Sequence, residues 1–224
     1  ILTLSGYLPA KAQIPVKIET FPLTNVRLLD SPFKHAEDLD IQYLLALEPD
    51  RLLAPYLREA GLTPKAEYYP NWEDTGLGGH IGGHYVSALS LIYASTGNQA
   101  IKARLDYMLS EWKRCQDNNG NGYIGGVPGS KELWEAIARG DIEAGAFDLN
   151  KKWVPLYNIH KVYAGLRDAW LNTDNEQARE MLINLTDWMI NLVSRLSDEQ
   201  IQEMLRSEYG GMNEVFADVA AITG

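Results

Sequence analysis

The chain has 224 residues, of which 46% are hydrophobic and 22% charged, close to the average for a globular protein and far from that of a disordered one. Thirty acidic and twenty basic residues give a formal net charge of −10, which disfavours binding to nucleic acid or to anionic membranes. The single cysteine, Cys115, excludes an internal disulfide framework. No apolar run reaches the roughly 18 residues that a transmembrane helix needs.

The first residues differ in composition from the rest. Residues Ile1–Leu8 are mostly apolar, and Ala10-Lys11-Ala12 matches the small-x-small pattern of a signal-peptide cleavage site. We therefore interpret residues 1–12 as the remnant of a secretory signal peptide, and we expect a periplasmic or secreted protein whose folded part begins at residue 13. A terminal strand is the alternative interpretation of the same residues.

Apolar residues recur at helical spacing over several stretches. One stripe begins at Tyr85, a second begins at Ile101 after a break at Thr96-Gly97-Asn98, and a third runs from Ala178 to Leu192. Alternating strand-like runs are almost absent. The sequence therefore predicts a mainly α-helical fold.

Helix starts can be placed from capping patterns. Ser31-Pro32 predicts an N-cap followed by a first-turn proline. Asp174 with Gln177, and Ser197 with Gln200, have the spacing of a capping box.

The breaks between helices repeat along the chain. Tyr93–Asn98 corresponds to Trp170–Asn175 and then to Ala220–Gly224, with a helix predicted before each break. The spacing is irregular, unlike that of a fixed-period solenoid. It favours a ring of helical hairpins joined by loops of different length, in which the third hairpin lacks its second helix.

The loop that joins the first predicted hairpin to the second is the longest, and it lies between Lys113 and Tyr157. This glycine-rich segment is either a functional loop or a solvated excursion with a short helix at residues 131–139. Its start, from Asp117 to Gly122, imitates a calcium loop, but Pro128 stands where the bidentate glutamate should be. A glycine-rich turn is therefore favoured over a calcium site.

Polar residues cluster at the predicted helix starts. His80 and His84 begin the first hairpin, His160 begins the second, and Asn213 and Glu214 begin the third. Equivalent ends of a ring of hairpins lie on one rim, where the N–H groups of the helix starts add hydrogen-bond donors. We therefore predict one shared pocket lined by these residues.

Zinc binding by His80 and His84 is disfavoured despite their i, i+4 spacing. No acidic ligand follows at a standard offset, and Ile81 stands where a metalloprotease has glutamate. Polar pocket lining or helix capping is the favoured role. His35 lies in a highly charged stretch and is expected at the surface.

The six tryptophans fall into two groups. Trp112, Trp170 and Trp188 occupy apolar helical positions and are predicted to be core. Trp72, Trp134 and Trp153 are predicted to lie in loops, where an indole ring could stack on a sugar or pack onto the core.

At these residues the sequence resembles the β-L-arabinofuranosidase-like glycoside hydrolases, a family long catalogued as a domain of unknown function. The matching stretches occur in order along most of the chain. They are Leu29–Phe33, Asp50–Pro55, Gly79–Tyr85, Asn119–Gly126, Trp153–Lys161 and Gly210–Glu214. The resemblance implies an (α/α)6 toroid, a ring of six helical hairpins, of which residues 13–224 are about the first half.

The resemblance also implies retaining hydrolysis of L-arabinofuranosyl linkages in plant glycans. Members of the family use a cysteine nucleophile held in a zinc–cysteine–glutamate cluster, together with a glutamate acid/base. These groups follow the Gly210–Glu214 segment in the family, and Cys115 is the only cysteine here. We therefore expect no catalytic or metal-binding residue within this chain, and zinc only in the intact protein.

Substrate binding is the role that the resemblance transfers to this chain. The expected ligand is an arabinose-containing oligosaccharide or polysaccharide. Two other functions remain open: a non-catalytic carbohydrate-binding helical scaffold, and another toroid enzyme such as a polysaccharide lyase or sugar epimerase. The candidate substrate-binding residues are His160, Glu214, Asn213, His80, His84, Trp72 and Glu73.

Overall fold

The computed structural model describes residues 20–224. The signal-peptide interpretation of residues 1–12 lies outside these residues. Nine α-helices and one small sheet make up the described part, so the prediction of an all-α fold is confirmed. The helices are α1 Pro32–Ala46, α2 Pro49–Glu59, α3 His80–Thr96, α4 Gln99–Asn119, α5 Ser130–Ala138, α6 Pro155–Thr173, α7 Glu176–Val193, α8 Asp198–Met204 and α9 Met212–Thr223. Strands β1 Asp148–Leu149 and β2 Lys152–Trp153 pair antiparallel.

Helices α3, α6 and α9 lie side by side and run in the same direction. Gly83 of α3 contacts the backbone of Lys161 in α6. Further along α6, the Tyr163 ring is 5.6 Å from that of Phe216, and the Arg167 Nε is 2.6 Å from the Asp218 Oδ2. Contacts that advance together along two helices require parallel axes, so the three helix starts lie at one end.

Helices α4 and α7 form an outer layer that returns antiparallel to α3 and α6. They are joined to each other through Gln116, whose Nε2 donates a hydrogen bond to the Met181 carbonyl oxygen at 3.0 Å. The core lies between the two layers, where the buried rings of Trp112 and Tyr56 are 5.2 Å apart. The predicted repeat of helical hairpins is confirmed, and closure into a six-hairpin ring stays a prediction.

Most predicted helix starts are confirmed. Ser31 caps α1 by accepting a hydrogen bond from the Lys34 N–H, and Ser197 and Gln200 form the capping box of α8. The capping box at Asp174 is wrong. Asp174 ends α6 at a left-handed φ of 52°, and Asn175 caps α7 instead. Thr173 is therefore the last residue of α6, and Asp174 and Asn175 connect α6 to α7.

The segment between α4 and α6 is folded. It contains α5, where the sequence predicts the short helix, and the β1–β2 hairpin. Trp134, expected in a loop, lies inside α5 and is buried against Trp188, with the ring centroids 5.3 Å apart. At the turn that imitates a calcium loop, the Asn121 Oδ1 accepts a hydrogen bond from the Tyr123 N–H. Within the stretch that imitates a calcium loop, Asp117–Asn119 belong to α4 and Gly120–Gly122 form a bend.

Among the described helices, none combines the length and the apolar composition that a membrane crossing requires.

Candidate functional site

The starts of α3, α6 and α9 bring together most of the residues that the sequence selects. Gly83 packs on Lys161, and Gly211, just before α9, packs on the ring of His160. The three helix starts are therefore neighbours, as the repeat predicts. We call this region the rim site.

Glu73 organises the start of α3 from inside the protein. Only 1% of its surface is exposed. Its Oε2 accepts a hydrogen bond from the Gly79 N–H at 2.7 Å, and its Oε1 accepts one from the Ile81 N–H at 3.0 Å. The carboxylate thus satisfies N–H groups that have no partner within the helix, and its charge complements the helix dipole. In this structure Glu73 caps α3, with both oxygens already engaged.

The two histidines of α3 differ in environment. The His80 ring is 8% exposed, and its Nδ1 lies 2.9 Å from the Glu73 Oε1 and 2.9 Å from the Leu77 carbonyl oxygen. Two acceptors at Nδ1 place the ring proton there. His84 is exposed, with its ring centroid 6.4 Å from that of His80. Although the side chain reaches solvent, desolvation by the surrounding protein lowers the pKa of His84, and the positive charge of Lys161 lowers it further. His84 is therefore neutral at pH 7.

The start of α6 is held in place by its backbone and by one buried amide. Val154 adopts a left-handed conformation with φ 33°, which is strained for a β-branched residue. Asn158 is fully buried, and its Nδ2 donates hydrogen bonds to the carbonyl oxygens of Leu77 and Gly78 at 2.9 and 3.0 Å. This amide ties the start of α6 to the segment that leads into α3.

His160 is the central side chain of the rim site. Its ring packs against Gly210 and Gly211, and a β-carbon on Gly211 would lie 2.5 Å from Nε2. The Lys161 Nζ lies 3.2 Å from Nδ1. Because an ammonium can only donate, Nδ1 accepts and the ring proton belongs on Nε2. Burial, with help from the Lys161 charge, lowers the pKa of His160 to about 4, so the imidazole is neutral at pH 7.

Lys161 is a site residue that the sequence analysis did not select. Its ammonium lies over the Tyr157 ring, 4.2 Å from the centroid, and burial lowers its pKa while the charge of Glu208 acts to raise it. Lys161 lowers the pKa of both His84 and His160. The repeat offered a signal, because Lys161 occupies the position in the second hairpin that His84 has in the first.

Asn213 and Glu214 lie in the first turn of α9. Both side chains are exposed, and neither makes a side-chain hydrogen bond to another of residues 20–224. Their helix start contacts His160 through Gly211. They therefore stand at the rim with their polar atoms free for a ligand.

Two exposed indole rings lie beside the histidines of α3. Trp72 is 61% exposed, and its ring centroid is 6.4 Å from that of His80. Trp153, at the end of β2, is 37% exposed and lies 5.9 Å from Trp72 with its plane tilted by 35°. We call this pair the indole shelf. Trp153 was among the loop tryptophans that the sequence suggested for sugar stacking.

The described residues do not fit a zinc–cysteine–glutamate cluster. Cys115 is buried in α4, and burial raises its pKa to about 12, so it is a protonated thiol at pH 7. Among residues 20–224, no three His, Cys, Asp or Glu side chains are placed to hold a metal ion. No chemical step that uses zinc can be assigned to these residues.

Comparison with known protein families identifies the chain. Residues 25–224 match the family described as Beta-L-arabinofuranosidase, GH127 catalytic domain. The chain belongs to this family. The family resemblance seen in the sequence is thus confirmed, and it makes the chain a member of a glycoside hydrolase family. No curated protein matches the chain.

Proposed function

We propose that the intact protein hydrolyses L-arabinofuranosyl linkages of plant glycans, and that the rim site binds the arabinofuranosyl unit. Family membership supports the reaction class. The main structural support for this binding site is the environment of His160. Its neutral imidazole lies between Gly210–Gly211 and Lys161, where three helix starts meet.

The rim site offers the groups that a sugar requires. A neutral imidazole presents one donor and one acceptor, and His84 and His160 supply two such rings where the starts of α3 and α6 meet. Each sugar hydroxyl can donate and accept at once, so it pairs with such a ring without carrying charge. Asn213 and Glu214 add an amide and a carboxylate.

The indole shelf suits the apolar face of a sugar ring. Trp72 lies in the 3-10 helix Asn71–Glu73, whose last residue is the capping residue Glu73, and Trp153 is in the β1–β2 hairpin, so both rings stand on ordered backbone. Exposing two indoles costs hydrophobic free energy unless a ligand covers them. We propose that Trp72 and Trp153 stack on a sugar of the bound glycan.

We further propose that the zinc, the cysteine nucleophile and the acid/base of the intact enzyme come from residues outside this chain. Cys115 is a buried thiol with a raised pKa, which does not suit a nucleophile. Export is also a proposal, resting on the composition of residues 1–12.

A second candidate is a carbohydrate-binding scaffold without chemistry. The observation in its favour is that the rim site brings polar side chains together, while residues 20–224 contain no group of three metal-ligating side chains. The two candidates differ in one respect, which is turnover by the intact protein.

The decisive experiment measures arabinose release by the intact protein from a chromogenic β-L-arabinofuranoside, with zinc present and after chelation. We expect zinc-dependent release, and a loss of at least about tenfold in kcat/KM when His160→Ala removes one or more sugar hydrogen bonds. His35→Ala, an exposed histidine in α1, is the matched control and should leave kcat/KM unchanged.

Two results would contradict the proposal. A folded intact protein that binds arabinosides but releases no arabinose would establish the scaffold. Equal loss of activity in His35→Ala and His160→Ala would remove the rim site as the place where the sugar binds.

A further inference from the structure

A cavity of about 540 Å³ lies outside the rim site, between the C-terminal ends of α2 and α4 and the helices α5 and α7. Its volume falls within the range of small-molecule sites, roughly 300–1,000 Å³. None of the residues selected for the rim site lines it. We call it the α5 cavity.

Three aromatic residues form one side of the α5 cavity. The ring of Tyr123 lies 4.7 Å from Trp188 and 6.1 Å from Trp134, and Trp134 and Trp188 are 5.3 Å apart. All three are buried and belong to the core. The aromatic wall of the cavity is therefore part of the packed core.

Three asparagines lie on another side of the cavity. In each, either the amide nitrogen or the amide oxygen makes a hydrogen bond to the protein backbone, which fixes the side chain. The Asn118 Nδ2 donates to the Ala60 carbonyl oxygen at 2.6 Å, and the Asn119 Nδ2 donates to the Tyr123 carbonyl oxygen at 2.8 Å. The Asn121 Oδ1 accepts from the Tyr123 N–H at 3.0 Å. Two acceptor oxygens, on Asn118 and Asn119, and the Asn121 Nδ2 group with its two N–H donors remain available on amides whose planes are already set.

The turn that carries Asn121 cannot easily move. Gly122 has a φ of 92°, and a β-carbon there would lie 2.3 Å from the Asn184 carbonyl oxygen in α7. The Gln116 Nε2 also donates to the Gly122 carbonyl oxygen at 2.8 Å. The polar groups of the cavity are thus organised before any ligand arrives, which lowers the entropic cost of binding.

The charges around the cavity disfavour an anionic ligand. Among its lining residues Lys131 is the only cation, and Glu59 and Glu135 oppose it, so an anionic ligand gains nothing. Glu59 is occupied by the N–H and hydroxyl of Ser130, both at 3.1 Å. No group of three metal-ligating side chains exists among residues 20–224. The lining thus gives no advantage to an anion, and its amide groups suit a neutral ligand with hydroxyl groups.

We propose that the α5 cavity is a second saccharide-binding site, which takes a short neutral stretch of an arabinose-containing glycan. Fixed amides supply donors and acceptors for hydroxyl groups, and the ring edges of Trp134 and Trp188 contact sugar C–H groups. The site binds independently of the rim site and has no role in bond cleavage.

The test is a titration of the intact protein with arabinotriose after zinc chelation, so that the ligand is not hydrolysed, and binding is monitored by calorimetry and by tryptophan fluorescence. The rim site is first weakened with His160→Ala, and binding is then measured in that background. Asn121→Asp keeps the acceptor for the Tyr123 N–H and replaces the free donor, so the turn is preserved. Asn191→Ala removes an exposed lining amide, and Gln202→Ala, an exposed glutamine of α8, is the matched control.

We expect two bound ligands per chain in the wild type, and in His160→Ala one site of unchanged affinity beside a rim site that is weakened at least about tenfold. In that background, Asn121→Asp and Asn191→Ala should each weaken binding about two- to tenfold, the effect of one hydrogen bond, and Gln202→Ala should not. Circular dichroism confirms that each variant is folded.

The outcomes separate this proposal from the proposed function. A single bound ligand that disappears in His160→Ala would overturn the second site and leave the rim site standing. Binding that is unchanged by His160→Ala but weakened by Asn121→Asp would support the α5 cavity and count against the rim site. Unchanged affinity in Asn121→Asp and Asn191→Ala, with one ligand still bound, would also overturn the assignment.

Discussion

A β-carbon on Gly83 of α3 would lie 2.4 Å from the carbonyl carbon of Lys161 in α6. The two helices therefore touch backbone to backbone at this turn, and Gly165 continues the contact, since a β-carbon there would lie 3.0 Å from the Gly83 carbonyl oxygen. This close approach brings His84 and His160, one residue away on each helix, to the same rim.

We predict that Gly83→Ala destabilises the protein although it improves helix propensity. Gly to Ala in an open helix stabilises by roughly 0.5–1 kcal/mol. Here the methyl group must push the Lys161 backbone away, and such overpacking costs about 1–3 kcal/mol. Urea unfolding measures the difference. Ser87→Ala, a partly exposed position of the same helix, is the control and should change stability little. A more stable Gly83→Ala protein would show that α3 and α6 are not in backbone contact.

Glu73→Gln tests whether this residue caps α3 or binds substrate. A glutamine offers one acceptor where two backbone N–H groups and the His80 Nδ1 contact the carboxylate now, which leaves a buried donor without a partner. We expect a loss of about 1–3 kcal/mol in the free energy of unfolding, with sugar affinity retained in the folded fraction. Asp74→Asn, at the exposed next position, should change stability by less than about 0.5 kcal/mol. The opposite pattern, weaker sugar binding with full stability, would restore Glu73 as a ligand residue.

The sequence predicts the helical layers well because their signal is local. Helical periodicity and the repeated breaks are enough to place α3, α6 and α9 side by side. It fails where two local signals compete. Asp174 has the spacing of an N-cap, yet a residue is needed in the left-handed region to end α6, and Asp174 takes that position while Asn175 becomes the cap.

The rim site is predicted less completely because its chemistry depends on contacts between hairpins. Lys161 matters through its distance of 3.2 Å to the neighbouring His160 ring, and Glu73 is buried only because α3 begins above it. The position of Trp134 also depends on a contact between distant segments. It lies in α5, whose apolar face packs against Trp188 of α7, and no local sequence pattern predicts this contact.

Removing the charge of Lys161 should raise the pKa of His160. Burial is the larger cause of its value of about 4, so Lys161→Met should move the pKa only part of the way back toward 6.5. Titration of the imidazole carbons by NMR measures this shift. Lys113→Met, on the outer helix α4 where the lysine pairs with Asp117, should leave the titration unchanged. An unaltered pKa in Lys161→Met would show that the two side chains do not interact in solution.

The lowered pKa of His160 also makes stability depend on pH. The unfolded histidine binds its proton near pH 6.5 and the folded one near pH 4, so between these values the unfolded chain holds more protons. Stability from this group is fully present above pH 6.5 and is lost as the pH falls through 4. The slope is at most about 1.4 kcal/mol per pH unit, reduced by solvent at the half-buried ring. The contribution of His160 is measured by comparing the urea midpoints of wild type and His160→Gln at pH 7 and pH 5. The stability of His160→Gln should depend less on pH than that of the wild type.

Val154 offers a test of strain at the start of α6. At an ordinary position alanine is more stable than glycine by roughly 0.5–1 kcal/mol. With φ 33°, Val154 lies in the left-handed region, where a β-carbon costs about 1–2 kcal/mol. Both substitutions remove the same buried side chain, but only glycine removes the strain. We therefore expect Val154→Gly to be more stable than Val154→Ala by up to about 1 kcal/mol in urea unfolding. The usual order, with alanine the more stable, would mean that the backbone at Val154 is unstrained and that the conformation of β2 and α6 does not depend on it.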